Sequence, residues 1–217
     1  MTSSFPRHAL HAFFFTALIY LAVVSFISYP LTTFLKPIAI LCLIIGVWQS
    51  NIVQWAKMTL MVGLSFSLIG DIILTIPMAH QIELGIVCFL LTHCCYIALF
   101  LKRYTYNLNT VLSFLPVIVY AALIFKVIYP HAGAMLIPVC IYFGILLTMV
   151  FTAFQVNMQK MITAAGALCF LASDTLLAMN LFVLQANDLT LPVMITYYAA
   201  QVMITLGVVG LYQSEQG

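Results

Sequence analysis

The chain has 217 residues, of which 65% are hydrophobic and only 6% are charged, with a mean hydropathy of +1.18. A soluble domain carries about 25% charged residues, so seven Lys and Arg and five Asp and Glu cannot cover a water-facing surface of this size. The net charge of +2, without a basic cluster, also excludes a nucleic-acid-binding surface. The composition predicts an integral membrane protein.

Apolar stretches of about 20 residues, separated by Pro, Gly, Asn or charged residues, predict an all-α bundle of about eight transmembrane helices. These spans are expected at residues 11–29, 33–48, 54–76, 81–101, 108–128, 133–154, 161–184 and 191–212. The second span is short and the fifth and sixth are weakly separated, so seven helices is the alternative. The first stretch lacks a small-residue cleavage site, and we expect a retained span, not a signal peptide.

The basic residues between the spans predict the orientation. Five lie on the side of the N-terminus, namely Arg7, Lys57, Lys102, Arg103 and Lys160, whereas Lys36 and Lys126 lie on the other side. Because basic loops stay in the cytoplasm, both termini are predicted to be cytoplasmic. The connections are too short for an extramembrane domain, so residues 1–217 are predicted to form one transmembrane domain.

The six cysteines fall inside apolar stretches, and no Cys-x-x-Cys occurs. This pattern predicts buried thiols and indicates neither a disulfide framework nor a zinc cluster. The cysteines are Cys42, Cys88, Cys94, Cys95, Cys140 and Cys169.

Two carboxylates lie inside predicted spans, where charge is costly. Asp71 follows Gly70 in the third span, and Asp174 follows Ser173 in the seventh. An aspartate near the middle of a span costs roughly 2.5–3.5 kcal/mol on insertion scales, so it normally has a partner or lines a cavity. A structural contact between helices is the alternative to a functional site.

Other polar side chains fall at similar depths. At 1.5 Å per residue, Asp71 lies about 9 Å from the non-cytoplasmic end of its span and Asp174 about 15 Å. The remaining candidates in this layer are Lys36, His93, Asn180, Tyr197, Tyr198 and Gln201, and Tyr96 lies on the same helix face as His93. One polar cavity opening to the non-cytoplasmic side would explain the grouping. The stripe of Gly63, Ser67, Asp71 and Thr75 instead predicts close helix packing.

The arrangement of these residues resembles the YhhN family of multispanning membrane proteins, over roughly residues 30–210. The similar features are Lys36-Pro37, Gly70-Asp71, the stretch from Glu83-Leu84-Gly85 to Phe89, His93, Tyr96, Gly166-Ala167, Phe170, Ser173-Asp174, Leu177-Ala178 and Tyr197-Tyr198-Ala199-Ala200-Gln201. The resemblance implies an eight-helix bundle in the bacterial inner membrane. It also implies a lysoplasmalogenase, which hydrolyses the vinyl ether of a lysophospholipid to a fatty aldehyde and glycerophosphoethanolamine or glycerophosphocholine.

Two carboxylates suit this chemistry. Protonation of the vinyl β-carbon gives an oxocarbenium ion, which water attacks, and the hemiacetal then collapses. An acid and a carboxylate are needed, and we expect Asp71 and Asp174 to supply them, without saying which is which. His93, Tyr197 or Gln201 would orient water or glycerol oxygens, and Lys36 would attract the phosphate. Tyr96, Asn180 and Tyr198 complete the predicted substrate-binding set.

Two rival functions remain open at this point. A metallohydrolase would use His93, Asp71 and Asp174 as zinc ligands, although the sequence favours chemistry without a metal or other cofactor. A proton-coupled transporter of a lipid or small molecule would use the same aspartates as a relay. Beyond a lysophospholipid substrate and membrane lipid, we expect no nucleic acid and no obligatory protein partner.

Overall fold

The computed structural model describes residues 5–185 and 189–213, and within these ranges every regular element is helical. The α-helices are α1 (Arg7–Val23), α2 (Leu31–Leu35), α3 (Ile38–Gln49), α4 (Gln54–Ile73), α5 (Gln81–Leu101), α6 (Leu108–Ser113), α7 (Leu115–Ile128), α8 (Leu136–Phe154), α9 (Lys160–Ala178) and α10 (Thr190–Leu211). A π-helical segment, Met179–Leu184, continues α9.

Seven stretches of the described chain are long and apolar enough to cross a membrane. They are Leu31–Gln49, Gln54–Ile73, Gln81–Leu101, Leu108–His131, Gly133–Phe154, Lys160–Leu184 and Thr190–Leu211. Helix α1, with 17 residues, is a shorter apolar helix in addition to these. The predicted all-α bundle of about eight helices is therefore confirmed, and the protein is a multi-pass integral membrane protein.

Prolines account for most differences from the predicted spans. The second span divides into α2 and α3 because Pro37 has no N–H for a continuous helix, and α3 begins directly after it. The fifth span divides into α6 and α7 at Phe114, with Pro116 in the first turn of α7. Helix α4 ends at Ile73, because Pro77, four residues later, has no N–H for the Ile73 carbonyl and its ring would clash with that carbonyl in a helix.

Helix α1 is displaced relative to the predicted span 11–29. It begins at Arg7, directly after Pro6, and ends at Val23, where Val24 and Ser25 have low helix propensity. Its buried residues Ala9, Phe13, Ala17 and Tyr20 form one stripe at helical spacing, which packs against α3 and α10.

Helix α10 lies at the centre of the bundle. It packs along α9 and also contacts α1, α3 and α4, while α4 packs against α5, α5 against α8, and α8 against α9. In its most apolar stretch 67% of α10 is buried, against 39% or less in the six other long spans. Side chains on several faces of α10 therefore reach the interior, and polar residues there must find partners within the protein.

The prediction of buried thiols is wrong for two cysteines. All six are free, but Cys94 and Cys140 are exposed on the outer surface of α5 and α8. That surface is apolar, and a thiol behaves there as a small hydrophobic side chain, which is why apolar sequence context does not separate the core from a lipid-facing surface.

Candidate active site

A cavity of about 710 Å³ lies between the ends of α1, α2, α4, α9 and α10. Its wall includes Asp71 and Asp174 together with Lys36, Asn180 and Tyr197. Serine and threonine side chains from α2, α9, α10 and the turns that follow α1 and α4 also line it. We call this space the polar cavity, and it brings both intramembrane carboxylates to the wall of a single space.

Asp71 is held by a cation and a phenol. Its side chain is 1% exposed; Oδ1 lies 3.0 Å from Lys36 Nζ, and Oδ2 accepts a hydrogen bond from Tyr197 at 2.7 Å. The Tyr198 hydroxyl donates to the Lys36 carbonyl at 2.8 Å, which fixes the backbone at the break between α2 and α3. The Lys36 side chain is therefore turned into the bundle, onto Asp71.

A chain of hydrogen bonds extends behind Tyr197 into the protein. Because Tyr197 gives its single proton to Asp71, its oxygen accepts from Ser67 at 2.6 Å. Ser67 in turn accepts from Gln201 Nε2 at 2.6 Å, and Gln201 Oε1 accepts from Tyr96 at 2.7 Å. All donors in this chain point toward Asp71, an arrangement that strengthens each bond and stabilises negative charge on the carboxylate.

Asp174 has different partners. Its Oδ2 accepts a hydrogen bond from Tyr142 at 2.6 Å, and His93 Nε2 lies 3.4 Å from the same oxygen. His93 Nε2 and the Tyr142 hydroxyl are 3.0 Å apart, so the three groups form one cluster. His93 is fully buried, whereas the Asp174 side chain is 11% exposed toward the cavities.

A second, apolar cavity of about 70 Å³ adjoins the polar one. Side chains of α5, α7 and α8 line it, including Ile86, Phe125, Val139 and Phe143. Both cavities share a wall formed by Leu74, Ile82, Phe89, Asp174, Leu177 and Leu181. Asp174 is the carboxylate on this shared wall, so it stands at the boundary between an apolar and a polar space.

Aromatic rings separate the two carboxylate clusters. Phe89 and Phe170 have their ring centroids 6.0 Å and 5.8 Å from that of Tyr197, and Phe170 packs edge-on at 4.7 Å against His93. His93 thus belongs with Asp174 and not with Asp71. In the described part of the chain, no three His, Cys, Asp or Glu side chains lie close enough to hold a metal ion.

The other predicted binding residues divide into two groups. Lys36, Asn180 and Tyr197 line the polar cavity, and Asn180 Oδ1 is buried there without a hydrogen-bond partner in the described structure. His93, Tyr96, Tyr198 and Gln201 line neither cavity and bond to residues that do, or to their neighbours. A direct substrate contact from this second group has no support in the geometry.

Two residues of the site were missed by sequence reasoning. Ser67 was expected only to permit close packing, but it links Gln201 to Tyr197. Gly63 from the same stripe does lie at a close contact, since a Cβ added there would be 3.0 Å from Cys95 Cβ. Tyr142 was not singled out at all, although a tyrosine well inside a predicted span is a detectable signal.

Comparison with known proteins gives one family and two relatives. Residues 31–208 match the YhhN family. The chain is 32% identical over 151 residues to proteins named lysoplasmalogenase from Mycobacterium bovis and Mycobacterium tuberculosis. The match covers 67% of this chain and 58% of each relative, so the chain spans less than two thirds of their length. No solved structure gives a significant match.

Proposed function

Because the chain belongs to the YhhN family, we propose that it is a lysoplasmalogenase that hydrolyses the vinyl ether bond of a lysophospholipid within the membrane. The products are a fatty aldehyde and glycerophosphoethanolamine or glycerophosphocholine. The observation that carries this proposal is the position of Asp174 on the wall shared by an apolar and a polar cavity. The mycobacterial relatives carry the same name.

The substrate, like the site, has an apolar part next to a polar part. Its vinyl ether joins a long alkenyl chain to a glycerophosphate headgroup, so the scissile bond lies between an apolar and a polar part. With the first few carbons of the alkenyl chain in the small apolar cavity and the headgroup in the polar cavity, the bond would lie beside Asp174. The Lys36 ammonium has three N–H donors, of which one faces Asp71, so others remain for a phosphate oxygen.

The two carboxyl groups then have different roles in the reaction. Asp174, facing the apolar cavity, donates a proton to the β-carbon of the vinyl ether, and the positive charge that develops is shared by the ether oxygen. Asp71, surrounded by Lys36 and Tyr197, remains a carboxylate. It stabilises the oxocarbenium ion and orients the attacking water in the polar cavity. The hemiacetal formed in this way collapses to aldehyde and alcohol.

The proposed location follows from the same arguments. A single-chain lipid reaches the cavities from the bilayer, and the headgroup leaves on the side where the polar cavity lies. The distribution of Lys and Arg supports an orientation with that side away from the cytoplasm and both termini in the cytoplasm. The proposed location is therefore a bacterial inner membrane, with the polar cavity on the periplasmic side.

The test is aldehyde release from lysoplasmenylethanolamine by the purified protein in detergent micelles. We expect the parent protein to be active and Asp71→Asn and Asp174→Asn each to lose about 10²–10⁴-fold in kcat, as for removal of a catalytic acid or base. Glu83→Gln is the matched control, since Glu83 lies in the first turn of α5 and lines neither cavity. It should retain the parent activity.

The substrate offers a further control. An analogue with a saturated ether has no double bond to protonate, so the parent protein should not cleave it. Cleavage of both ethers would contradict the proposed chemistry. Lack of aldehyde release by a folded, monodisperse parent protein would refute the function and favour transport through the same cavity.

A further inference from the structure

Tyr142 and His93 are two buried polar side chains to which the proposed chemistry assigns no part. Tyr142, from α8, lines the apolar cavity, and His93, from α5, is fully buried behind it. They come from helices separated along the chain and converge on one carboxylate oxygen of Asp174. Burial of three polar groups in an apolar layer is costly unless they bond to one another.

The hydrogen-bond directions in this cluster follow from the bond that Tyr142 donates to Asp174. The Tyr142 hydroxyl has one proton, which it donates to Asp174 Oδ2 at 2.6 Å. Its oxygen can therefore only accept from His93 Nε2, 3.0 Å away, which places a proton on Nε2. His93 Nδ1 is buried with no hydrogen-bond partner among the described residues. The direction of donation is His93 to Tyr142 to Asp174.

Both contacts are made to the same oxygen. Oδ2 of Asp174 is engaged by Tyr142 and approached by His93, whereas no hydrogen bond from the described residues reaches Oδ1. In a protonated carboxyl group the carbonyl oxygen is the stronger hydrogen-bond acceptor, so a bond donated to one oxygen favours the proton on the other. The proton of Asp174 is thereby directed to Oδ1.

We propose that Tyr142 is a positioning residue that fixes Asp174 with its acidic proton on the free oxygen, and that His93 holds the Tyr142 hydroxyl in the orientation this requires. The inference rests on the proposed function and adds to it the groups that aim the acid. The ring of Phe170, edge-on at 4.7 Å, fixes the plane of the His93 imidazole. Neither Tyr142 nor His93 exchanges a proton with the substrate.

Asp174 gives up one proton in the first step and regains one when water adds. The O–H bond at Asp174 Oδ1 breaks, and its proton forms a C–H bond with the β-carbon, using the π electrons of the double bond. The α-carbon becomes part of an oxocarbenium ion, and Asp174 is left as a carboxylate whose Oδ2 still accepts from Tyr142. Water adds to the α-carbon and returns one proton to Asp174, which restores the acid before the hemiacetal collapses.

The experiment is steady-state kinetics of Tyr142→Phe on lysoplasmenylethanolamine, beside the parent protein. Removal of the hydroxyl keeps the ring that lines the apolar cavity, so KM should stay within about twofold while kcat falls about tenfold to a hundredfold, as expected when an acid is misaligned. Tyr120→Phe is the matched control on exposed α7, with no change expected. A parent-like kcat, or an effect on KM alone, would overturn the proposal.

His93 supplies the second measurement. His93→Gln keeps an N–H donor and should retain more of the parent kcat than His93→Phe, which removes it. In the Tyr142→Phe background, His93→Phe should cause no further loss, because it acts through the missing hydroxyl. Fully additive losses would overturn the assigned order. If Tyr142→Phe elutes as aggregate, the kcat of His93→Phe tests the proposal instead, because this variant removes the group that orients the Tyr142 hydroxyl.

The outcomes separate this inference from the function on which it rests. An active parent protein with a parent-like Tyr142→Phe variant would refute the positioning role and leave the proposed function intact. A folded parent protein that releases no aldehyde would refute the proposed function, and the assignment of Tyr142 would fall with it.

Discussion

Gly166 lies at the contact between α9, which carries Asp174, and α10, which carries Tyr197. A Cβ atom added there would be 2.9 Å from the backbone nitrogen of Ile204 and 2.9 Å from Cβ of Met203. Non-bonded carbon atoms normally stay about 3.5–4.0 Å apart. Gly166→Ala must therefore move the two helix backbones apart by about 0.5–1 Å, because a backbone atom cannot rotate out of the way.

The expected loss follows from two opposing contributions. Overpacking a close contact costs about 1–3 kcal/mol. The higher helix propensity of alanine returns about 0.8–1 kcal/mol. We expect a net loss of up to about 2 kcal/mol in the free energy of unfolding, which lowers the Tm of a chain of this length by up to about 8 °C.

Gly144 offers the matched control for this prediction. It lies exposed on α8, and a Cβ atom added there would meet nothing within 4 Å. Gly144→Ala should therefore gain up to about 1 kcal/mol from propensity alone. The assay is thermal unfolding followed by tryptophan fluorescence in one detergent. Equal melting temperatures for the two variants would refute the close approach of α9 and α10.

Two further predictions concern the cavities. Lys36→Met leaves buried Asp71 without its cation and should lower the free energy of unfolding by about 3–5 kcal/mol. The double variant Lys36→Met with Asp71→Leu should restore most of this loss, because neither charge remains. An unchanged Tm in the single variant would contradict a buried ion pair. Ile86→Trp fills the apolar cavity and should raise KM about tenfold, because the carbons next to the vinyl ether lose their space. An unchanged KM, measured by aldehyde release, would argue against this position of the alkenyl chain.

The length of the apolar stretches was sufficient to predict the helices, because a span needs a fixed number of residues whatever it packs against. The breaks inside these helices were harder to predict. Pro37 was assigned to a continuous second span, although proline inside a helix removes a hydrogen bond. The π-helical segment Met179–Leu184 was expected to be α-helical, since the two share nearly the same apolar pattern over so short a stretch.

The individual residues of the candidate site could be predicted from the sequence, but which side chains contact one another could not. Asp71, Asp174 and Lys36 stand out because charge inside a span is costly. That His93 serves Asp174 and not Asp71 depends on which helices are neighbours, and apolar length carries no information on packing order. Tyr142 was missed for the same reason, since one tyrosine in an apolar span gains meaning only from α5 and α9 on either side.

The central position of α10 bears on the order of assembly during synthesis. The ribosome makes α10 after the nine helices that precede it here, so those helices enter the membrane before their common core exists. Until α10 arrives, Asp71 lacks the Tyr197 hydroxyl, and Ser67 and Tyr96 lack the Gln201 side chain. The nascent bundle therefore has an unsatisfied polar interior that its last described helix fills, and the candidate site is complete only when this helix has packed.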